Sequence, residues 1–115
     1  MAPRSDFLQG TLEMLILRFL SDGPQHGYGV ARRIQDGSDG VFIVQEGSLY
    51  PALYRMERRG WIHSEWGASE RNRRARYYEL TPSGQERLEA KTADWRRSTM
   101  AIFHLLGLSA PRRLA

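Results

Sequence analysis

Apolar side chains recur at helical spacing through the first stretch of the chain: Phe7, Leu8, Leu12, Leu15, Ile16, Phe19 and Leu20. Ser5 or Asp6 can cap the start and Gly23-Pro24 stops the run, which predicts a helix over about Asp6–Ser21. A second helix is expected from His26 or Gly27 to Asp36, with Tyr28, Ala31 and Ile34 on its inner side. Gly37-Ser38-Asp39-Gly40 reads as a loop by composition. Val41-Phe42-Ile43-Val44 is apolar and β-branched, so it is either a short strand or a plug over the core.

Leu49, Ala52, Leu53 and Met56 form one stripe of a third helix, about Gly47–Arg59, that Gly60 ends. Pro51 belongs near its first turn, because deeper in a helix proline removes a hydrogen bond and clashes. The opposite side, at 100° per residue, carries Ser48, Pro51, Tyr54, Arg55 and Arg58, with Tyr50 at the edge. A bulky aromatic and two arginines on a solvent face are unusual unless something docks there. Trp61–Trp66 and Arg74–Leu80 read as two strands, in which Ile62 and Trp66, then Tyr78 and Leu80, alternate with polar residues. Gly67–Arg73 is a polar hairpin tip.

Thr81 caps a final helix, and Pro82 suits its first position, where a fixed φ and a missing N–H do no harm. The helix should run to about Leu106, roughly 37 Å at 1.5 Å per residue. Leu88, Thr92, Trp95, Thr99, Ile102 and Leu106 form a heptad seam along it, widened by Phe103 and Leu105. A helix this long overhangs a core made of three helices and a hairpin, and leaves Trp95, Ile102, Phe103 and Leu106 in water. Burying each is worth about 1.5–3 kcal/mol. Pairing with a second copy achieves that; folding back on the first helix of its own chain is the alternative. Gly107, Pro111 and the Arg112-Arg113 pair make a short basic tail that should fray.

The chain has 115 residues, 41% of them hydrophobic, which fits one domain with a modest core. There is no cysteine, so disulfides and thiolate metal sites are excluded. The N-terminal MAPRSDFLQG is not a signal peptide and no apolar run approaches a membrane span, which together fit a cytoplasmic protein. His26, His63 and His104 are scattered without metal-ligand spacing, and Ser48 has no nucleophile-elbow setting. No cofactor, metal site or catalytic constellation is expected. The net charge is +4, Lys91 is the only lysine, and Arg71, Arg73, Arg74 and Arg76 fall within six residues at the hairpin. Arginine presents a planar fork that suits phosphates and guanine edges. A helix followed by a basic hairpin can place one element in a DNA groove and the other on the phosphates beside it.

HGYGVARRI at 26–34, EGSLYPALYRMERRGWI at 46–62 and RRARYYELTPSGQERL at 73–88 resemble the PadR family of bacterial transcriptional regulators, and LQGTLEMLILRFL at 8–20 is similar to its usual first helix. The resemblance covers about residues 7–106, and length and a single C-terminal helix match the short branch of the family. It implies an α+β, mostly α fold: a winged helix-turn-helix over residues 1–80, a long C-terminal dimerisation helix over 81–107, and a tail over 108–115. It implies a homodimer that binds a roughly palindromic double-stranded DNA operator, usually as a repressor. In the short branch a ligand can sit between the two long helices, with a tryptophan from each copy lining the space; Trp95 occupies the matching position. A winged-helix module that binds a protein partner instead of DNA is the alternative.

The residues expected at DNA are Tyr54, Arg55 and Arg58 in the major groove, Ser48 and Tyr50 beside them, and Arg71, Asn72, Arg73 and Arg74 at the wing. Tyr28 is either a core residue or a phosphate contact. Gly27-Tyr28-Gly29 is not a nucleotide-binding loop, since Arg32 stands where the last glycine belongs. Leu88, Thr92, Trp95, Thr99, Ile102, Phe103 and Leu106 are expected at the dimer seam. Phe7, Leu8 and Leu12 of the partner copy can wall a slot for a small planar hydrophobic effector against Trp95.

Overall fold

The computed structural model describes the backbone of residues 2–68 and 74–109, with side chains from residue 10 onward in these stretches. Three helices enclose the core: α1 (Ala2–Leu20), α2 (Gly27–Gly37) and α3 (Glu46–Arg58). Ile16, Leu17 and Leu20 of α1 meet Val30, Ala31 and Ile34 of α2 and Leu49, Ala52, Leu53 and Met56 of α3 in one buried cluster. The α3 stripe read from the sequence is its inner face, whereas on α2 the exposed Tyr28 gives way to Val30, and on α1 the core also takes Leu17. α1 starts earlier than Ser5 or Asp6, at Ala2. Pro3 tolerates this because the first turn of a helix has no use for its missing N–H.

α2 is capped by His26, whose Nδ1 accepts from the Gly29 N–H at 2.9 Å. Gly27 is buried where α2 meets α3: a Cβ there would stand 3.0 Å from Leu53 Cδ1 and 3.3 Å from Tyr50 Cε1. Its missing side chain permits the close approach. Residues 41–44 form no strand; Phe42 and Val44 pack half-buried on the core while Val41 and Ile43 face water, so the segment is a plug. The Ser38 hydroxyl holds its start by accepting from the Phe42 N–H.

α3 begins at Glu46, which places Pro51 sixth, in the second turn rather than the first. The helix forgoes the bond from residue 51 to the Gly47 carbonyl. Gly47 is exposed, so water can serve that carbonyl and the loss is small. Arg59 and then Gly60, at φ +78°, end the helix.

The hairpin is β2 (Ile62–Ala68) and β3 (Arg74–Leu80), antiparallel with Ile62 opposite Leu80 and Trp66 opposite Arg76. A third strand, β1 (Gln25–His26), pairs with Tyr78 and Tyr77 on the other edge of β3, giving the order β1-β3-β2. Ile62 and Tyr78 are buried, but Trp66 is 54% exposed, contrary to the alternation that grouped it with Ile62. It lies two residue pairs out from Tyr78's partner Ser64 toward the tip, beyond the reach of the core.

α4 (Pro82–Leu106) is capped by Thr81 as expected, its hydroxyl accepting from the Gly84 N–H; Gly107, read as part of the tail, closes the other end at φ +72°. Gly84 is buried against the chain before β2. A methyl group there would run into the Trp61 carbonyl, which already accepts from the Thr81 N–H. Gly84 and Leu88 are the buried residues of this helix. Its first turns thus rest on α1 and β3, while Trp95, Ile102 and Leu106 beyond them keep 39%, 54% and 66% of their surface exposed. Folding back on α1 accounts for the start of α4 and not for its second half. No helix among the described residues is long and apolar enough to cross a membrane.

Candidate nucleic-acid interface

The outer face of α3 presents Ser48, Tyr50, Pro51, Tyr54 and Arg58 to solvent, as the helical spacing requires. The Arg58 guanidinium lies over the Tyr54 ring, 5.7 Å from its centroid. Such a cation–π contact contributes about 0.5–1 kcal/mol at an exposed site and leaves the N–H groups free to bind elsewhere. The Ser48 hydroxyl is exposed, but its backbone N–H is not on offer: it donates to the Gln45 carbonyl at 3.0 Å.

Arg55 departs from the set. Its Nε donates to Oε2 of Glu13 at 3.1 Å, and the Glu13 side chain is only 6% exposed. Arg59 Nη1 approaches the other carboxylate oxygen at 3.8 Å. A carboxylate out of water needs such partners, so Arg55 is engaged with α1 rather than standing open like Arg58. The spacing argument put it on the outer face because residue 55 lies at the border of the buried stripe, and Glu13 is 42 residues away.

Tyr28 is exposed, which removes the core alternative, and its hydroxyl accepts from Arg32 Nη1 at 3.4 Å. That bond holds Arg32 even more firmly protonated than usual. Arg33 reaches Asp22 at 2.8 Å and stacks over Phe19. Hydrogen bonds from Arg18 and then Arg33 keep the Asp22 carboxyl below the usual aspartate range.

The hairpin leans on α3 through a polar relay. The Ser64 hydroxyl donates to Glu57 Oε2 at 2.6 Å and accepts from Arg76 Nε at 2.9 Å. Behind it, burial pushes the Tyr78 phenol above its ordinary pKa, partly countered by nearby Arg76. Farther out, the guanidinium carbons of Arg74 and Arg76 stand 4.7 and 5.4 Å from the centroid of the Trp66 ring. Arg74 is exposed as expected; Arg71, Asn72 and Arg73 lie outside the described residues. The sequence singles out neither Ser64 nor Glu57, and marks Trp66 only as an alternating strand residue and Arg76 only as a member of the arginine cluster. Their grouping depends on the hairpin register, which pairs Trp66 with Arg76 and Ser64 with Tyr78. The register also gathers His63, Glu65 and Glu79 on the other face of the hairpin, with His63 Nε2 3.2 Å from Glu65. All three are exposed, and the group serves as a surface pairing of an imidazole with two carboxylates.

On α4, Trp95, Ile102 and Leu106 are exposed along with Thr92, Phe103 and Thr99 are half-buried rather than left in water, and Leu88 closes the core end. Leu12 is half-buried against its own core. The side chains of Phe7 and Leu8 lie outside the described residues.

The three-helix body, the hairpin on α3 and the long last helix recur in known proteins. The model of the "Transcriptional regulator PadR-like family" matches residues 16–90. The chain belongs to the PadR-like family. A transcriptional regulator of solved structure from Clostridium thermocellum is 30% identical, with a TM-score of 0.77 over 84% of this chain and 94% of that one. A PadR-like regulator from Bacillus cereus is 31% identical, with a TM-score of 0.75 over 88% of this chain and 96% of that one. A curated protein from Lysinibacillus sphaericus is 27% identical over 80% of this chain and 84% of its own length. The PadR-like fold is a winged helix, and the β2–β3 hairpin is its wing. PadR-like proteins are DNA-binding transcriptional regulators and not enzymes.

Proposed function

We propose that this protein is a homodimeric repressor of the short PadR branch, acting on a roughly palindromic operator in the cytoplasm. Residues 1–80 bind DNA, residues 81–107 hold two copies together, and 108–115 are a basic tail. The observation that carries this reading is the combination of an open Tyr54–Arg58 face on α3 with an exposed apolar seam on the overhanging part of α4. The first suits the major groove, where arginine can take guanine bidentately. The second is a cost in water that a second copy removes. Tyr28, Ser48, Tyr50 and Arg74 are placed to contact the backbone, joined by Arg71, Asn72 and Arg73 at the wing tip. Arg55 contributes from its bridge to Glu13, which sets the angle of the recognition helix. Two such heads about 34 Å apart match one turn of DNA.

In the same reading, a small planar hydrophobic effector sits between the two Trp95 side chains, walled by Phe7, Leu8 and Leu12. Its binding changes the angle between the long helices and weakens the grip on DNA, a coupling of about 1–3 kcal/mol. The test is a gel shift with DNA upstream of the protein's own gene at two salt concentrations. Specific retention that falls steeply with salt supports the regulator. Absence of any salt-dependent DNA affinity would instead favour a winged helix that binds a protein partner.

A further inference from the structure

Trp66 is the wing's largest exposed apolar side chain, and neither the core nor the expected wing-tip contacts account for it. Its surroundings are cationic: Arg74 at 4.7 Å and Arg76 at 5.4 Å from the ring centroid. Arg76 is also tied through the Ser64 hydroxyl to Glu57 on α3. The alternation along β2 and β3 puts Ser64, Trp66, Arg74 and Arg76 on one face of the wing, the face whose inner end is Ile62 and Tyr78. That face is continuous with α3 through the Glu57–Ser64 hydrogen bond.

We propose that Trp66 is a positioning residue for DNA binding, holding Arg74 and Arg76 as a preformed double fork for backbone phosphates beside the half-site read by α3. The proposal rests on the DNA-binding reading and adds to it a residue that touches DNA only through others. A free arginine loses rotamer freedom when it grips a phosphate. Contact with the indole removes part of that loss beforehand, because a ring against the guanidinium's face leaves terminal N–H groups able to bind elsewhere. Arg76 is held from two sides, by the ring and by Ser64, so the relay also fixes the fork relative to the recognition helix. The occupant is the sugar-phosphate backbone of duplex DNA. A planar ligand stacked on Trp66 is disfavoured, since cations already crowd the ring.

The test is operator affinity of the full-length protein, measured against salt, for Trp66→Ala, Trp66→Leu and Trp66→Phe, each alone and with Arg74→Ala/Arg76→Ala. Alanine and leucine should weaken binding about 5- to 10-fold while keeping the salt slope of the wild type, because the charges remain. Phenylalanine keeps a π face and should stay within about twofold. In the Arg74→Ala/Arg76→Ala background, Trp66→Ala should change nothing further. Wild-type affinity for Trp66→Leu would overturn the proposal. So would an undiminished effect of Trp66→Ala without the arginines, which would mean that the indole meets DNA itself. Arg58→Ala serves as the reference for the parent reading: if it weakens operator binding and the Trp66 variants do not, only the positioning role fails. If the wild type binds no operator, both fail. Thermal melts identify any variant that loses its fold, and Trp66→Phe, the mildest change, still decides the outcome through its predicted rescue.

Discussion

Arg55 on α3 is bound to Glu13 on α1, Nε to Oε2 at 3.1 Å, and the carboxylate is nearly out of water. The pair crosses from α3 to the helix against which α4 begins. It joins two surfaces that the proposed mechanism needs at a constant angle. A buried ion pair is poor evidence for net stability, but breaking one side of it strands a charge.

Arg55→Ala leaves the Glu13 carboxylate with only the longer Arg59 contact. It should cost about 1–3 kcal/mol in urea unfolding, because a buried charged acceptor loses its main donor. Arg58→Ala, on the open face, should stay within about 0.5 kcal/mol of wild type. Equal stability of the two variants would show that the Glu13 bridge is slack.

Arg58 on α3 and Arg74 on the wing should separate in binding. Arg58→Ala is expected to reduce discrimination between operator variants by about 1–3 kcal/mol. Arg74→Ala should weaken binding evenly across sequences and lower the salt slope by about 1. Titrations on a set of single-base operator variants at several salt concentrations resolve the two patterns. If both substitutions bind like wild type, the assignment of this face is wrong.

Ile102→Asp and Leu106→Asp put charges into the exposed seam of α4. Each should shift the protein from dimer to monomer in sedimentation velocity, since burial of such a side chain is worth about 1.5–3 kcal/mol. The melt of the winged helix should change little, because neither residue touches the core. A wild type that sediments as a monomer at every concentration would refute the arrangement of two copies.

Tyr78 gives a pH signature. Burial raises its phenol pKa in the folded chain, while the unfolded chain ionises near the ordinary value of about 10. Below that value both states are protonated and the contribution is fully present. As pH rises from the ordinary value toward the raised one, only the unfolded chain releases its proton, and stability declines. Melting temperature should therefore fall more steeply above pH 10 for wild type than for Tyr78→Phe. Parallel curves would mean that the phenol is not held back from ionising.

The parts of this fold that depend on near neighbours were readable from the chain. Thr81-Pro82 begins α4 as expected, because a cap hydroxyl and a first-turn proline act within one turn. The stripe of α3 became core for the same reason, and those of α1 and α2 did so in part, with Leu17 and Val30 buried and Tyr28 outside. What escaped depends on partners far along the chain. Gln25-His26 carries no strand signal and becomes β1 only because β3 offers a free edge. Arg55 lies at the border of its helix's buried stripe, and its distant carboxylate decides which way it turns. Trp66 was grouped with Ile62 by alternation alone, but a strand that runs beyond the core has no inside at that distance. The Arg71–Arg73 cluster was conspicuous in the sequence and lies outside the described residues. Arg76, two positions beyond Arg74, is the one the relay to α3 selects.

The seat of Gly84 on the Trp61 carbonyl has a mechanical consequence. With no side chain between them, the long arm meets the base of the wing at backbone contact, and there is no soft padding to absorb a tilt. In the proposed dimer, an arm of 25 residues anchored this way would act as a lever with its fulcrum at one end, converting displacement at the far tip into a small turn of the winged helix. Even a methyl group at the fulcrum would then reset the angle.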